Sequence, residues 1–177
     1  LVVDPRLDVD SLQTDAPAVA AWARKRQVPK VLVATQTRLL EAVADLDGQM
    51  VPVTPTVSVE PTGAVGVGPQ ELLAAICAPS SAARLARDAA GSGLSAGAVR
   101  VSAAAVRALP LPGDPGAWKQ GTDLVAGLGL DEESGRDELL HRFGEVMIRA
   151  YGPADPDLLA WWWPRATGRR VGGADGA

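Results

Sequence analysis

Apolar positions fall in short, differently spaced groups along the chain, and the spacing predicts where helix gives way to strand. Leu1-Val2-Val3 reads as a short apolar strand that turns acidic before Leu12, as a connector would. Thr14 or Asp15 is placed to cap a helix with Pro17 in its first turn and Arg24-Lys25-Arg26 at its end, the polarity that the helix macrodipole favours. Val28-Pro29 stops it. Lys30 to Thr37 reads as a buried strand, because Val31-Leu32-Val33 is short, β-branched and preceded by proline. Leu39, Leu40, Ala42 and Val43 fit helical spacing, so Arg38 to Asp45 is open between helix and strand. The tight-turn pair Asp47-Gly48, followed by Met50–Val53 and Thr56–Val59, favours a hairpin. Pro52 and Pro55 lack ladder donors and predict edge or bent strands.

Thr62 to Gly68 carries three glycines without the Lys-Ser/Thr ending or helix-facing spacing of a phosphate cradle, and reads as a loop. Pro69–Ala78 and a second segment from Ser80 or Ser81 to Ala90 predict helices that cover the sheet. The run Gly91 to Gly97 breaks the pattern. Beyond it, Ala98–Val101 predicts a strand, Ser102 a cap for a helix to Ala108, and Leu109-Pro-Leu-Pro112 an extended exit. Pro112-Gly-Asp-Pro-Gly116 reads as a linker, with helices expected over Ala117–Leu128, Glu132–Ala150 and Asp155–Trp163, the last ended by Pro164. Adjacent helical residues lie about 100° apart, so Trp161, Trp162 and Trp163 cannot share one core face, and at least one is expected to reach another surface or a further domain. The null expectation for the rest is packing against the helical appendage, with base stacking as the alternative. The tail from Gly168 reads as disordered.

These elements predict an α+β fold: a small mixed or antiparallel sheet with covering helices, followed by a helical C-terminal appendage. Residues 1–27 form a connector and leading helix, 28–112 an α/β domain, 113–164 the appendage and 165–177 the tail. A length of 177 residues suits one domain with an appendage. Its beginning at Leu1 suggests a piece of something longer. The chain shows neither a secretory leader nor a long apolar run, so no membrane partner and a cytoplasmic location are expected.

Charge narrows the function classes. A net charge of −4 disfavours broad basic gripping of nucleic acid, yet Arg24, Lys25, Arg26, Lys30 and Arg38 stand between Ala16 and Leu40 without one acid. Asp131 to Glu138 is acidic in turn. Cys77 is the only cysteine and His141 the only histidine, so no disulfide, metal cofactor or nucleophile–base pair is expected.

The order of phrases is itself informative. Lys30-Val-Leu-Val-Ala-Thr-Gln-Thr-Arg38, the Asp-Gly turn, Val51-Pro-Val-Thr-Pro-Thr-Val57, Leu72-Leu-Ala-Ala-Ile-Cys-Ala-Pro-Ser80, Gly91-Ser-Gly-Leu94, Val99-Arg-Val-Ser102 and Leu109-Pro-Leu-Pro112 follow one another. Together they resemble the C-terminal target-recognition region of N6-adenine DNA methyltransferases, the actinobacterial N-6 DNA methylases in particular. The resemblance covers Val28 to Pro112, and departs from the family where an asparagine of the helix phrase is replaced by Ala78-Pro79. It implies an upstream methyltransferase domain that binds S-adenosylmethionine and presents an Asn/Asp-Pro-Pro-Tyr/Phe motif to a flipped adenine. The present region would hold double-stranded DNA and read its sequence, as part of a restriction-modification system. The chain contains no asparagine, and Asp4-Pro5, Asp114-Pro115 and Asp155-Pro156 lack the second proline and the aromatic. By itself it is therefore expected to bind no cofactor and to methylate nothing.

Under that reading Arg24, Arg26 and Lys30 suit backbone phosphates, while Gln36 and Arg38 suit adenine and guanine edges. Thr35, Thr37 and Thr54 offer donors to phosphates, and Ser92, Arg100 and Ser102 form a further cluster beside glycines. A reading from another class competes: a protein-interaction or structural module, with the acidic balance, helical appendage and tryptophans docking a partner or the parent enzyme.

Overall fold

The computed structural model describes residues 9–63, 66–88, 99–128 and 133–168. The expected connector strand Leu1-Val2-Val3, the glycine run 91–97 and the tail from 169 lie outside them. The leading segment folds as α1 (Leu12–Asp15) and α2 (Pro17–Arg24). Pro17 begins α2 as expected, but the residue before it is Ala16, which gives no side-chain cap; neither Thr14 nor Asp15 fills that role. Ala20 and Ala23 bury one face of α2 against Val9, with Leu12 and Val51 alongside.

The sheet is built around β1 (Lys30–Ala34), which pairs antiparallel on one side with β3 (Ala42–Asp45) and on the other with β4 (Thr56–Val59). Leu32 stands opposite both Val43 and Ser58. Side chains alternate across a strand, so Val31 and Val33, both fully buried, point together into a cluster with Ile76, Leu85, Val101 and Val106. The segment that was open between helix and strand is thus partly strand. The hairpin expected around Asp47-Gly48 is replaced by a different pairing: β3 and the following strand lie on opposite edges with β1 between them. The most apolar strand takes the centre, where both its edges are paired and both its valines are covered. Met50–Val53 carries no ladder and crosses between the edges as a loop. Gly48 adopts φ +67, and a Cβ there would lie 2.8 Å from the Val28 carbonyl carbon, so the turn residue serves close approach to the start of β1.

The strand expected from Lys30 to Thr37 breaks at Thr35, whose N–H donates to Pro55 O at 3.0 Å while its own carbonyl accepts from Val101 N at 3.0 Å. Past that switch, β2 (Gln36–Thr37) leaves the first sheet and pairs antiparallel with β5 (Val99–Arg100). Ser102 caps α5 (Ala103–Arg107) as expected, its Oγ accepting from Ala105 N at 3.1 Å.

Of the two helices expected over the sheet, α3 (Pro69–Cys77) lies on β1 and β3, whereas α4 (Pro79–Asp88) turns toward the C-terminal helices and sends only Leu85 into the sheet cluster. Glu71 accepts from Gly68 N at 2.9 Å, which closes the start of α3. The C-terminal part comprises α6 (Pro115–Gly127), α7 (Glu133–Tyr151) and α8 (Pro156–Ala166). Pro112 to Gly116, read as a linker, is a tied corner: Gly113 N and Asp114 N both donate to Ala150 O, at 2.8 and 3.1 Å, and Asp114 caps α6 through Gly116 N and Ala117 N. The larger apolar cluster joins Leu39, Ala74 and Ala82 to Phe143, Met147 and Trp162, and so runs through both parts of the chain. Trp118 Nε1 adds a bond to Glu71 O at 3.0 Å across the same seam.

Pro164 does not end α8, which continues to Ala166. The proline removes one N–H from the helix, and the bond it would have made is to the carbonyl of exposed Ala160, which water can satisfy. All three neighbouring tryptophans engage this chain. Trp162 is 2% exposed at the centre of the cluster, Trp163 meets His141 edge-on at 5.0 Å, and Trp161 lies beneath the Arg165 guanidinium at 4.7 Å. Among the described residues no helix is long and apolar enough to cross a membrane.

Candidate nucleic-acid interface

The residues expected to meet DNA do not form one surface. Lys30, the first residue of β1, is fully buried, with Nζ 2.5 Å from Asp45 Oδ2 and 3.0 Å from Val28 O. Asp45 is 4% exposed and also accepts from Gln49 N at 2.9 Å and Met50 N at 2.8 Å. Burial alone would raise the Asp45 carboxyl, but the Lys30 hydrogen bond, followed by the Met50 and Gln49 amides, outweighs it and holds the group below its ordinary value. The ammonium expected to face a phosphate is instead the pin that fastens the 46–50 turn to the start of β1.

Two threonines are withdrawn in the same way. Thr37 is buried and its hydroxyl donates to Leu39 O, while Thr35 Oγ1 donates to Pro55 O at 2.9 Å. Thr54 is exposed, next to the cis Thr54–Pro55 peptide. Arg24 is engaged with Asp10 at 3.0 Å and with Gln13. Arg26 folds back over Trp22, its guanidinium carbon 4.2 Å from the ring centroid and Nη1 donating to Trp22 O at 3.1 Å. Both arginines precede β1, whereas Gln36 and Arg38 follow it. A five-residue strand separates the two groups by about 16 Å.

What the fold does gather lies at the far end of β1. Gln36 pairs directly with Arg100 across the β2–β5 bridge, and both side chains are exposed. Buried Thr37 separates Gln36 from Arg38, which is exposed just past the end of β2. Ser102 is exposed one residue beyond Val101; its oxygen is used as a cap, leaving the hydroxyl proton free to donate. Arg107 is exposed in the last turn of α5 but lines a separate hollow with Val59, Glu60 and Thr62, toward the start of β1. Ser92 lies outside the described residues.

The groups at this edge are hydrogen-bonding ones. Guanidinium forks offer paired donors to phosphate or to the guanine O6/N7 edge, and a primary amide matches the adenine N6/N7 edge. Among the described residues no group of three or more His, Cys, Asp or Glu is placed to hold a metal. The Asp-Pro stretches also have ordinary duties: Asp114 caps α6 and Asp155 caps α8 through Leu158 N at 2.9 Å. Both carboxylates are exposed, and Asp4-Pro5 lies outside the described residues. No protein-family model matches the chain, and a search of curated proteins finds no match either.

Proposed function

We propose that this chain is a DNA-contacting, target-recognition module of an adenine-N6 methyltransferase system, which supplies sequence reading to a separate S-adenosylmethionine-binding catalytic domain. The observation that carries the reading is the β2–β5 register: it sets exposed Gln36 opposite exposed Arg100, with exposed Arg38 just past the end of β2. A two-stranded ribbon is narrow enough for a major groove, and these side-chain types are the ones that discriminate base edges there. Ser102 extends the edge toward the backbone. Lys30, Thr35 and Thr37 drop out of the contact set, and Arg24 and Arg26 belong to a second surface.

A fluorescence anisotropy titration on mixed-sequence duplex at low salt tests this. Binding should weaken as salt rises, and Arg38→Ala with Arg100→Ala should lower the log–log salt slope by about two. Absence of duplex binding at low salt sinks the reading.

A second reading rests on a different surface. Val19 and Trp22 on α2, and Leu46, Met50 and Val53 on the turn after β3, are all at least 40% exposed. The packing of Val51 against Ala20 and Ala23 brings that helix and that turn together. Such a patch suits a protein partner, including the parent catalytic domain. Trp22→Ser with Met50→Ser separates the two: it should leave the DNA titration unchanged and abolish association with a catalytic domain supplied in trans.

A further inference from the structure

A cleft of about 480 Å³ opens where the sheet meets the C-terminal helices, lined from Leu39 onward by the segment that follows Arg38. One side is β3, an edge strand whose outer side pairs with no other strand. Leu39, Phe143 and Trp162 of the larger apolar cluster line the cleft together with Leu40 of the sheet cluster, so it lies on the seam between the two. Leu73, Val125 and Leu140 continue the apolar lining. Cys77 keeps that lining uncharged: burial, and to a lesser degree Glu41, push its thiol up to about 12 against an opposing hydrogen bond from Ala42 N–H.

Among the described residues three charged side chains reach the cleft, Arg136, Arg165 and Glu41. Arg165 is held in place by stacking on Trp161 and by donating Nη1 to Trp161 O at 2.6 Å, which leaves most of its five donors unused. Arg136 is exposed and makes no ion pair among the described residues. Among the described residues, two guanidinium groups at the rim stand against one carboxylate. An apolar cavity of this size at a seam between packed units, with a few charged groups at its edge, is the usual form of a small-molecule site. Guanidinium selects a planar anion such as carboxylate.

We propose that this cleft binds a small molecule with an apolar body and a single carboxylate, of the medium-chain fatty acid type, its chain along Leu73, Val125 and Leu140 and its carboxylate between Arg136 and Arg165. The occupant would bridge sheet and helices and so stiffen the seam. This inference is independent of the DNA reading.

Isothermal titration of the full chain with sodium octanoate, 1-octanol and octylammonium tests it. Octanoate should bind saturably with one site, and at least about tenfold more tightly than the alcohol or the amine, as a charge-assisted fork requires. Arg136→Ala with Arg165→Ala should remove the preference for the carboxylate, and Leu140→Trp should block all three ligands while far-UV circular dichroism stays native. Absence of saturable octanoate binding at millimolar concentration overturns the proposal. So does equal affinity for octanoate and octanol, a comparison made on the unaltered protein that needs no variant to fold.

Discussion

Removing the carboxylate at position 45 should be among the most damaging single changes in this chain. Asp45→Ala leaves the Lys30 ammonium, fully buried, with Val28 O as its remaining hydrogen-bond acceptor among the described residues, and deprives the amides of Gln49 and Met50 of their acceptor. Breaking a buried ion pair from one side costs about 3–5 kcal/mol, because the remaining charge stays desolvated. Against a typical total stability of about 5–15 kcal/mol this is a large fraction. Urea unfolding followed by far-UV circular dichroism measures it: with a slope near 2 kcal/mol per molar, the midpoint should fall by roughly 2 M. Lys30→Met should cost less, since Asp45 keeps both amide donors and remains partly compensated. Lys30→Met combined with Asp45→Asn should recover much of the loss, because no uncompensated charge is then buried. A midpoint shift under about 0.5 M for Asp45→Ala would refute the pinning role. Protonation offers a second readout. The folded carboxyl lies below its unfolded value of 3.8, so its contribution is complete above that value and disappears as pH falls through the lowered one. Asp45→Asn should flatten that part of the acid-unfolding curve.

Other expectations follow from packing and burial. A Cβ at Gly144 would lie 2.8 Å from Trp162 Cζ3 and 2.9 Å from Leu159 Cδ1, so Gly144→Ala should lose about 1–3 kcal/mol despite its better helix propensity, lowering the melting temperature by several degrees. Tyr151→Phe removes a hydroxyl within 3.0 Å of Pro110 O, 3.1 Å of Ala75 O and 3.2 Å of Ser81 Oγ, and should cost about 1–2 kcal/mol in the same urea assay. Cys77 lines the cleft at intermediate exposure, but with its thiol pushed up to about 12 it should react with a thiol-reactive disulfide reagent at pH 8 more slowly in the native protein than in denaturant; equal rates would refute the raised value.

Local chemistry carried much of the fold into the linear sequence. Pro17, Ser102 and Asp155 mark helix starts because the first turn of a helix needs a constrained φ or a side-chain acceptor within a residue or two, and Asp114 caps α6 in the same way although its proline- and glycine-rich surroundings read as a linker. Val31-Leu32-Val33 marks the central strand for a similar reason, since branching and the pleat are properties of the segment itself. Asp47-Gly48 marked a turn correctly, although which strands flank each other across it is decided by burial elsewhere. Pro164 stayed within its helix because an exposed carbonyl can be hydrated, a condition no spacing rule contains.

The candidate site divides along the same line. Sequence by itself determined that amide, hydroxyl and guanidinium groups suited to nucleic acid gather between Arg24 and Arg38 and again from Arg100 to Ser102. It also determined that cysteine and histidine occur once each and asparagine not at all. Tertiary structure decided which of those polar groups remain free. Lys30 and Asp45 are fifteen residues apart, and only their pairing across β1 and β3 turns an expected surface cation into a buried pin. Gln36 and Arg100 are far apart in the chain, and only the β2–β5 bridge makes them neighbours. A charge's availability depends on desolvation and on partners contributed by distant segments, so it becomes fixed when those segments pack.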